Sequence, residues 1–238
     1  MKNKSFLIYG ISQGLGRAIA HNIPHDNDIV YGVSRSKPKD AKENMHWIQA
    51  DLSQPEAAIT KIDATIENRQ IDYLIYNVGI WEKEAFSEDY DFENCTDEEI
   101  IRMIQTNITS CILTLKHTLK NLRLSSNAKI ILIGSTWGLD NHNGKEVAFS
   151  ACKYAIRGMV QSLRETVKED NIGITVLNLG YLATEYDFTI PSDIVIEETK
   201  GTLIPLNDVL NAISFILNTS NASCVKEITM PAMHDQNV

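Results

Sequence analysis

Cysteine is scarce in this sequence of 238 residues: there are four, and none stands in a Cys-x-x-Cys pair. Cys95, Cys111, Cys152 and Cys224 are too widely spaced for a zinc site or a disulfide framework, so they read as ordinary residues of a reduced compartment. Positive charge is also short. Lys plus Arg number 22 against 31 Asp plus Glu, a formal charge of −9. With no basic stripe to offset that balance, nucleic acid and anionic membrane surfaces are excluded as partners. No apolar run approaches the ~20 residues of a membrane span. The opening stretch, Met1 to Gly10, has a signal peptide's charge and hydrophobicity, but its apolar run is too short and leads into a glycine turn with Gln13 and Arg17. Internal repeats and low-complexity linkers are absent as well. The expectation is a soluble, cytoplasmic protein with residues 1–238 in a single domain.

What is present is an average globular composition, 43% hydrophobic and 22% charged. Short β-branched runs alternate with helical patterns, the mark of a parallel sheet with helices on both faces. The strand candidates are Phe6–Tyr9, Ile29–Val33, His46–Ala50, Tyr73–Tyr76, Lys129–Ile133, Ile174–Leu177 and Glu227–Met230. Several are apolar without alternation, as strands covered on both sides must be. The predicted fold is α/β: a doubly wound Rossmann-type domain with a parallel seven-stranded sheet. Ser53-Gln54-Pro55-Glu56 has capping-box spacing, and Thr96-Asp97-Glu98-Glu99 repeats it. After the second signal, Ile100, Ile104, Ile108, Cys111, Leu115 and Leu119 recur at helical steps; a later helix carries Phe149, Ile156, Val160, Leu163 and Val167.

Between Trp81 and Glu99 nine acids face Lys83 alone, which accounts for eight of the nine net negative charges. The segment reads as a solvated loop entering an acid-rich helix start, where negative charge suits the dipole. A metal or basic-partner site is the alternative.

Gly10-Ile11-Ser12-Gln13-Gly14-Leu15-Gly16 follows the first strand and opens the first helix. Its glycines permit a tight turn, close approach of backbone N–H groups to a pyrophosphate, and close helix–strand packing. The end of the second strand selects the nucleotide. A site for NAD places an acid there, whereas a 2′-phosphate needs positive charge. This chain reads Ser34-Arg35-Ser36-Lys37, a guanidinium flanked by two hydroxyls, and so predicts NADP(H).

At this point the sequence resembles the short-chain dehydrogenase/reductase family across almost its whole length. The glycine turn has that family's spacing. Asp51-Leu52 looks like the pair bordering the adenine, and Asn77-Val78-Gly79 like the Asn-Ala-Gly element that lines the cofactor cleft. Asn107 falls where the family has an active-site asparagine, interrupting an apolar helix face. Ser135, in Gly134-Ser135-Thr136-Trp137-Gly138, matches the catalytic serine. Asn178-Leu179-Gly180-Tyr181-Leu182-Ala183-Thr184 resembles the Asn-Pro-Gly-x-x-x-Thr stretch near the nicotinamide, with leucine replacing proline; Gly180, Leu182 and Thr184 are its cofactor contacts.

The misfit lies in the catalytic helix. The family carries tyrosine and lysine four residues apart, and this chain reads Phe149-Ser150-Ala151-Cys152-Lys153. By resemblance, the lysine holds the nicotinamide ribose and the tyrosine exchanges a proton with the substrate oxygen. Phe149 has no proton to give, while Ser135 and Lys153 remain. The interval from Ser135 to 149 matches the family's usual one, so misalignment is not the explanation. Tyr154, Tyr181 and His142 are candidate substitutes, each with a bland alternative: packing for the tyrosines, a polar turn at 140–144 for the histidine.

Two functions follow. One is a slow NADP(H)-dependent oxidoreductase acting on a carbonyl or secondary alcohol; the other is an inactive NADP(H)-binding protein that regulates or supports a partner. Trp137, Tyr181, Tyr186 and Phe188 suggest an aromatic substrate region, with a short lid at 185–200. Family members commonly pair through the two long helices, here near 97–122 and 146–169, so a homodimer or homotetramer is expected.

Overall fold

The computed structural model describes residues 3–140 and 142–235. Seven parallel strands form one sheet in the order β3-β2-β1-β4-β5-β6-β7. They are β1 (Ser5–Tyr9), β2 (Ile29–Ser34), β3 (Met45–Gln49), β4 (Tyr73–Tyr76), β5 (Lys129–Ile133), β6 (Gly173–Leu179) and β7 (Glu227–Met230). Each expected strand is present; β3 sits one residue earlier than its pattern suggested, and β6 runs longer at both ends.

The inner strands are buried on both faces because their side chains alternate between two apolar clusters. Leu7, Tyr9, Leu74, Tyr76, Ile130 and Leu132 meet α2 (Pro55–Ile66), α4 (Ser110–Leu122) and α5 (Val147–Thr166). Phe6, Ile8, Ile75, Ile131 and Ile133 meet α1 (Gly14–Asn22) and α7 (Leu206–Asn218). Two further helices, α3 (Asp97–Ile104) and α6 (Ser192–Thr199), flank the strand ends. Residues 185–200, expected as a lid, comprise a turn and α6. No helix among the described residues is long and apolar enough to cross a membrane.

Three local expectations need correction. Ser53 does not cap α2: its Oγ donates to Asp51 Oδ1 at 2.9 Å, and Gln54 precedes the helix without a side-chain cap. Thr96, by contrast, does cap α3, accepting from the Glu99 N–H at 3.2 Å. The helix over 97–122 is not uniformly α: Gln105–Thr109 form a π-helical turn between α3 and α4. Such turns insert one residue and re-aim the side chains beside it, and they recur at functional sites. Finally, the acidic run is not uniformly solvated. Most of its carboxylates are exposed, but Glu82 is fully buried. No group of acids or histidines among the described residues could hold a metal.

Candidate active site

A cleft of about 650 Å³ opens at the carboxyl ends of the strands, where the order reverses between β1 and β4. Ligands of doubly wound sheets bind at that point because the helices on either side diverge there. The glycine turn forms one wall. Gly10 has φ +79°, and a Cβ there would stand 2.1 Å from the Asn77 carbonyl oxygen. At Gly16 a Cβ would stand 2.0 Å from the Gly10 carbonyl oxygen. Any side chain at either position would force β1, β4 and α1 apart, so this wall requires bare backbone.

Ser12, Gln13, Gly14 and Leu15 line the cleft from the turn, and Ser34 and Arg35 line it from the end of β2. Asp51, Leu52, Asn77, Val78 and Gly79 follow from β3 and β4, and Gly180, Leu182 and Thr184 from the loop after β6. Gly16 and Ser36 lie behind the lining: Gly16 packs on Gly10, and the Ser36 carbonyl accepts from Ser34 Oγ at 2.7 Å. Arg35 makes no ion pair among the described residues. Burial alone would raise the Asp51 carboxyl; hydrogen bonds from Ser53 and the charges of Arg35 and Arg102 hold it below its ordinary value. Arg102, on α3, also lines the cleft. The sequence pattern did not single it out, because the π-turn and the packing of α3 decide where it stands.

Lys153 and Phe149 share a face of α5, as a four-residue step requires. The Lys153 ammonium donates to the Ile133 and Gly134 carbonyls at 3.1 and 3.4 Å and lies 5.3 Å from the Phe149 ring centroid. Burial lowers its pKa from 10.5 to about 8. Ser135 Oγ accepts from the Trp137 N–H at 3.2 Å, which leaves its own proton free to donate into the cleft. Asn107 stands in the π-turn, buried behind the lining rather than in it. Its amide is satisfied reciprocally: Nδ2 donates to the Ile80 carbonyl at 2.7 Å and Oδ1 accepts from the Ile80 N–H at 2.9 Å. It therefore fixes the chain leaving β4.

Two of the three substitute proton donors are placed elsewhere. Tyr154 is exposed and donates to the Leu139 carbonyl at 2.6 Å. His142 has both ring nitrogens engaged, with Ser150 Oγ at 3.0 Å and the Gly144 N–H at 3.1 Å. Its neighbour Asn141 lies outside the described residues. Tyr181 does line the cleft, with its hydroxyl pushed up to about 12 by burial and by the charges of Glu146 and Asp235.

The aromatic region also differs from expectation. Trp137 and Tyr181 belong to it, but Tyr186 and Phe188 do not line the cleft: Glu198 raises the Tyr186 pKa, and Phe188 stacks on His21 at 5.6 Å. Trp81, Phe86 and Phe149 take their place. Behind these rings two buried glutamates organise the start of α5. Glu82 Oε1 accepts from the Ala148 and Phe149 N–H groups at 3.0 and 3.2 Å, and Glu146 accepts from the Phe86 N–H and from Trp137 Nε1 at 2.8 and 2.6 Å. Nothing in the acidic run distinguishes Glu82 from its solvated neighbours, and Glu146 sits in an unremarkable loop.

Residues 4–194 match the family described as short chain dehydrogenase. The 3-oxoacyl-[acyl-carrier-protein] reductase FabG of Escherichia coli (strain K12) is 26% identical over 235 residues, covering 93% of this chain and 92% of that protein. A short chain dehydrogenase from Leptospira borgpetersenii with bound NAD+ superposes with a TM-score of 0.77 at 19% identity, covering 98% of this chain and 92% of that one. A tyrosine-to-phenylalanine variant of ElxO with NADPH bound superposes at 0.76, with 22% identity and 96% of each chain covered.

Proposed function

Because the chain belongs to the short-chain dehydrogenase family, a family of oxidoreductases that use nicotinamide dinucleotides, we propose that it binds NADP(H) in this cleft and reduces a small-molecule carbonyl, or oxidises the corresponding secondary alcohol, slowly. The observation that carries the cofactor choice is Arg35. It lines the cleft at the end of β2, free of any ion pair among the described residues, with no acid beside it in the Ser34-Arg35-Ser36 turn. A planar guanidinium there suits a 2′-phosphate. The cradle fits a dinucleotide, since Gly10 and Gly16 keep the wall bare of side chains. Gly10 to Leu15 would hold the pyrophosphate, Asp51 and Leu52 the adenosine, and Lys153 the nicotinamide ribose. A bound nicotinamide would supply or accept the hydride.

The chain's own residues then account for the proposed slowness. Ser135 can donate a hydrogen bond to a carbonyl oxygen, and Lys153 holds a proton at neutral pH. The residue at 149 offers none, and general acid catalysis is ordinarily worth about 10²–10⁴-fold. Of the substitutes, only Tyr181 lines the cleft. One observation favours a second reading, a cofactor-binding protein without turnover: the Phe86 ring packs against Phe149 at 5.4 Å, where a substrate would approach. That ElxO binds NADPH with phenylalanine in place of a tyrosine supports cofactor binding under either reading. The exposed Ile101, Ile112, Val147 and Tyr154 on α3, α4 and α5 fit association through those helices, and the four free cysteines fit the cytoplasm.

The test is a calorimetric titration with NADPH and NADH, followed by rates on a carbonyl panel that includes a 3-oxoacyl thioester. NADPH is expected to bind at least about tenfold tighter than NADH, and Arg35→Asp to abolish that preference. Phe149→Tyr is expected to raise the rate by about a hundredfold or more. Failure of wild type to bind either cofactor at millimolar concentration overturns the proposal; fast wild-type turnover removes the second reading.

A further inference from the structure

Five aromatic side chains from four stretches of the chain meet at the substrate end of the cleft, and Phe86 is at their centre. Its ring centroid lies 5.4 Å from Phe149, 5.5 Å from Trp137, 5.6 Å from Tyr181 and 5.8 Å from Trp81. Three of these pairs are nearly perpendicular, at 85°, 87° and 88°. That is the arrangement in which the positive edge of one ring meets the negative face of another.

The Phe86 backbone is at φ 65°, a region bulky residues enter only when their surroundings impose it. The surroundings here are specific. Glu146 bridges the Phe86 N–H and the Trp137 indole through its two carboxylate oxygens, so plug and cage wall are tied to one buried group. A dinucleotide site requires none of this, and the first N–H groups of α5 are satisfied by Glu82 and the Tyr90 hydroxyl, not by the Glu146 carboxylate. On both sides the chain around Phe86 is exposed, at Lys83 and Glu84 and again at Ser87 to Asp89.

We infer that Phe86 is a specificity-determining residue that occupies, in the free protein, the position of a substrate aryl group, and that the cage selects planar aromatic carbonyl compounds. This inference rests on the reading of position 149 as the one facing the substrate carbonyl. A ring is already seated among four others, so the volume and the edge-to-face geometry for an aryl group exist. An aliphatic chain cannot reproduce those contacts. Entry requires the loop to carry Phe86 out, and its strained backbone lowers the cost of that move.

The experiment compares acetophenone with 2-octanone, an aliphatic ketone of equal carbon count, on wild type and Phe86→Gly. Glycine removes the ring and also suits the positive φ. Binding is read by quenching of tryptophan fluorescence, with NADPH affinity measured separately by calorimetry. Phe86→Gly is expected to bind acetophenone at least about tenfold tighter than wild type, with 2-octanone and NADPH changing less than about twofold. Equal gains for both ketones, or no gain for either, overturn the inference. Should Phe86→Gly not fold, Phe86→Leu undergoes the same comparison, with the same two deciding outcomes. If wild type fails to bind NADPH while the aryl selectivity appears, the cofactor reading falls and the cage stands; the reverse pattern removes the cage alone.

Discussion

The side chain whose ionisation matters most is Lys153. Its surroundings are two carbonyls, the Phe149 ring and no carboxylate within ion-pair distance among the described residues, so the ammonium is stabilised by dipoles alone. Burial is the dominant cause of its lowered pKa, about 8 against 10.5. A lysine depressed in the folded state costs stability while it is charged there; the cost is full below the folded value and is relieved as pH rises toward the unfolded one. In the cofactor-free protein, stability relative to Lys153→Met is therefore expected to rise by about 2 kcal/mol between about pH 7 and about pH 9.5. Urea unfolding of both proteins across that range measures it. A flat difference would mean that water reaches the ammonium. Phe149 belongs to the same scale: its ring lies 5.3 Å from the ammonium and offers no hydroxyl to share this charge.

Helix α5 carries both Phe149 and Lys153, so whatever fixes its first turn fixes their register. That work is done from outside the helix. Glu82 reaches from the loop after β4 to accept from Ala148 and Phe149, while its second oxygen is buried without a hydrogen-bond partner among the described residues. A carboxylate at a helix start gains from the dipole and satisfies orphan donors. Glu82→Ala leaves those donors buried and is expected to cost about 2 kcal/mol in unfolding free energy. Glu82→Gln keeps an acceptor and should recover most of it; equal losses in both variants would argue against capping. The π-turn is the other element-level device. It lets the helix over 97–122 pack continuously and still turn Asn107 toward Ile80. Periodicity alone showed an asparagine interrupting an apolar face. It could not show the inserted residue, because a π-turn leaves the hydrophobic spacing on either side nearly unchanged.

Across the molecule, Arg17 on the cradle helix joins two loops that flank the cleft. It pairs with Asp40, after β2, and with Asp187, after β6, at 2.6 Å, and lies 5.0 Å from the Phe188 ring centroid. Both carboxyls are held down to about 2, first by their hydrogen bonds to the guanidinium. Their contribution is present above the ordinary carboxylate range and lost as pH falls through about 2. Arg17→Leu is expected to speed amide exchange at 186–200 severalfold at neutral pH, with the difference from wild type closing between about pH 4 and about pH 2. If exchange at 186–200 is unchanged in the variant, the loop is held by its apolar contacts instead.

The sequence by itself determined the parallel sheet, its seven strands and the bare glycine turn, because these rest on short-range signals: unbroken apolar runs, helix starts and glycine spacing. It also determined that position 149 carries no proton, a matter of residue identity alone. Tertiary structure decided which carboxylates of an acidic run are buried, that Arg102 reaches the cleft, that Tyr186 and Phe188 turn away from it, and that Phe86 fills the aromatic cage. Each of these depends on contacts between segments far apart in the chain. Burial and partner choice are properties of the packed molecule, and two glutamates of the same run differ only in what the fold places around them.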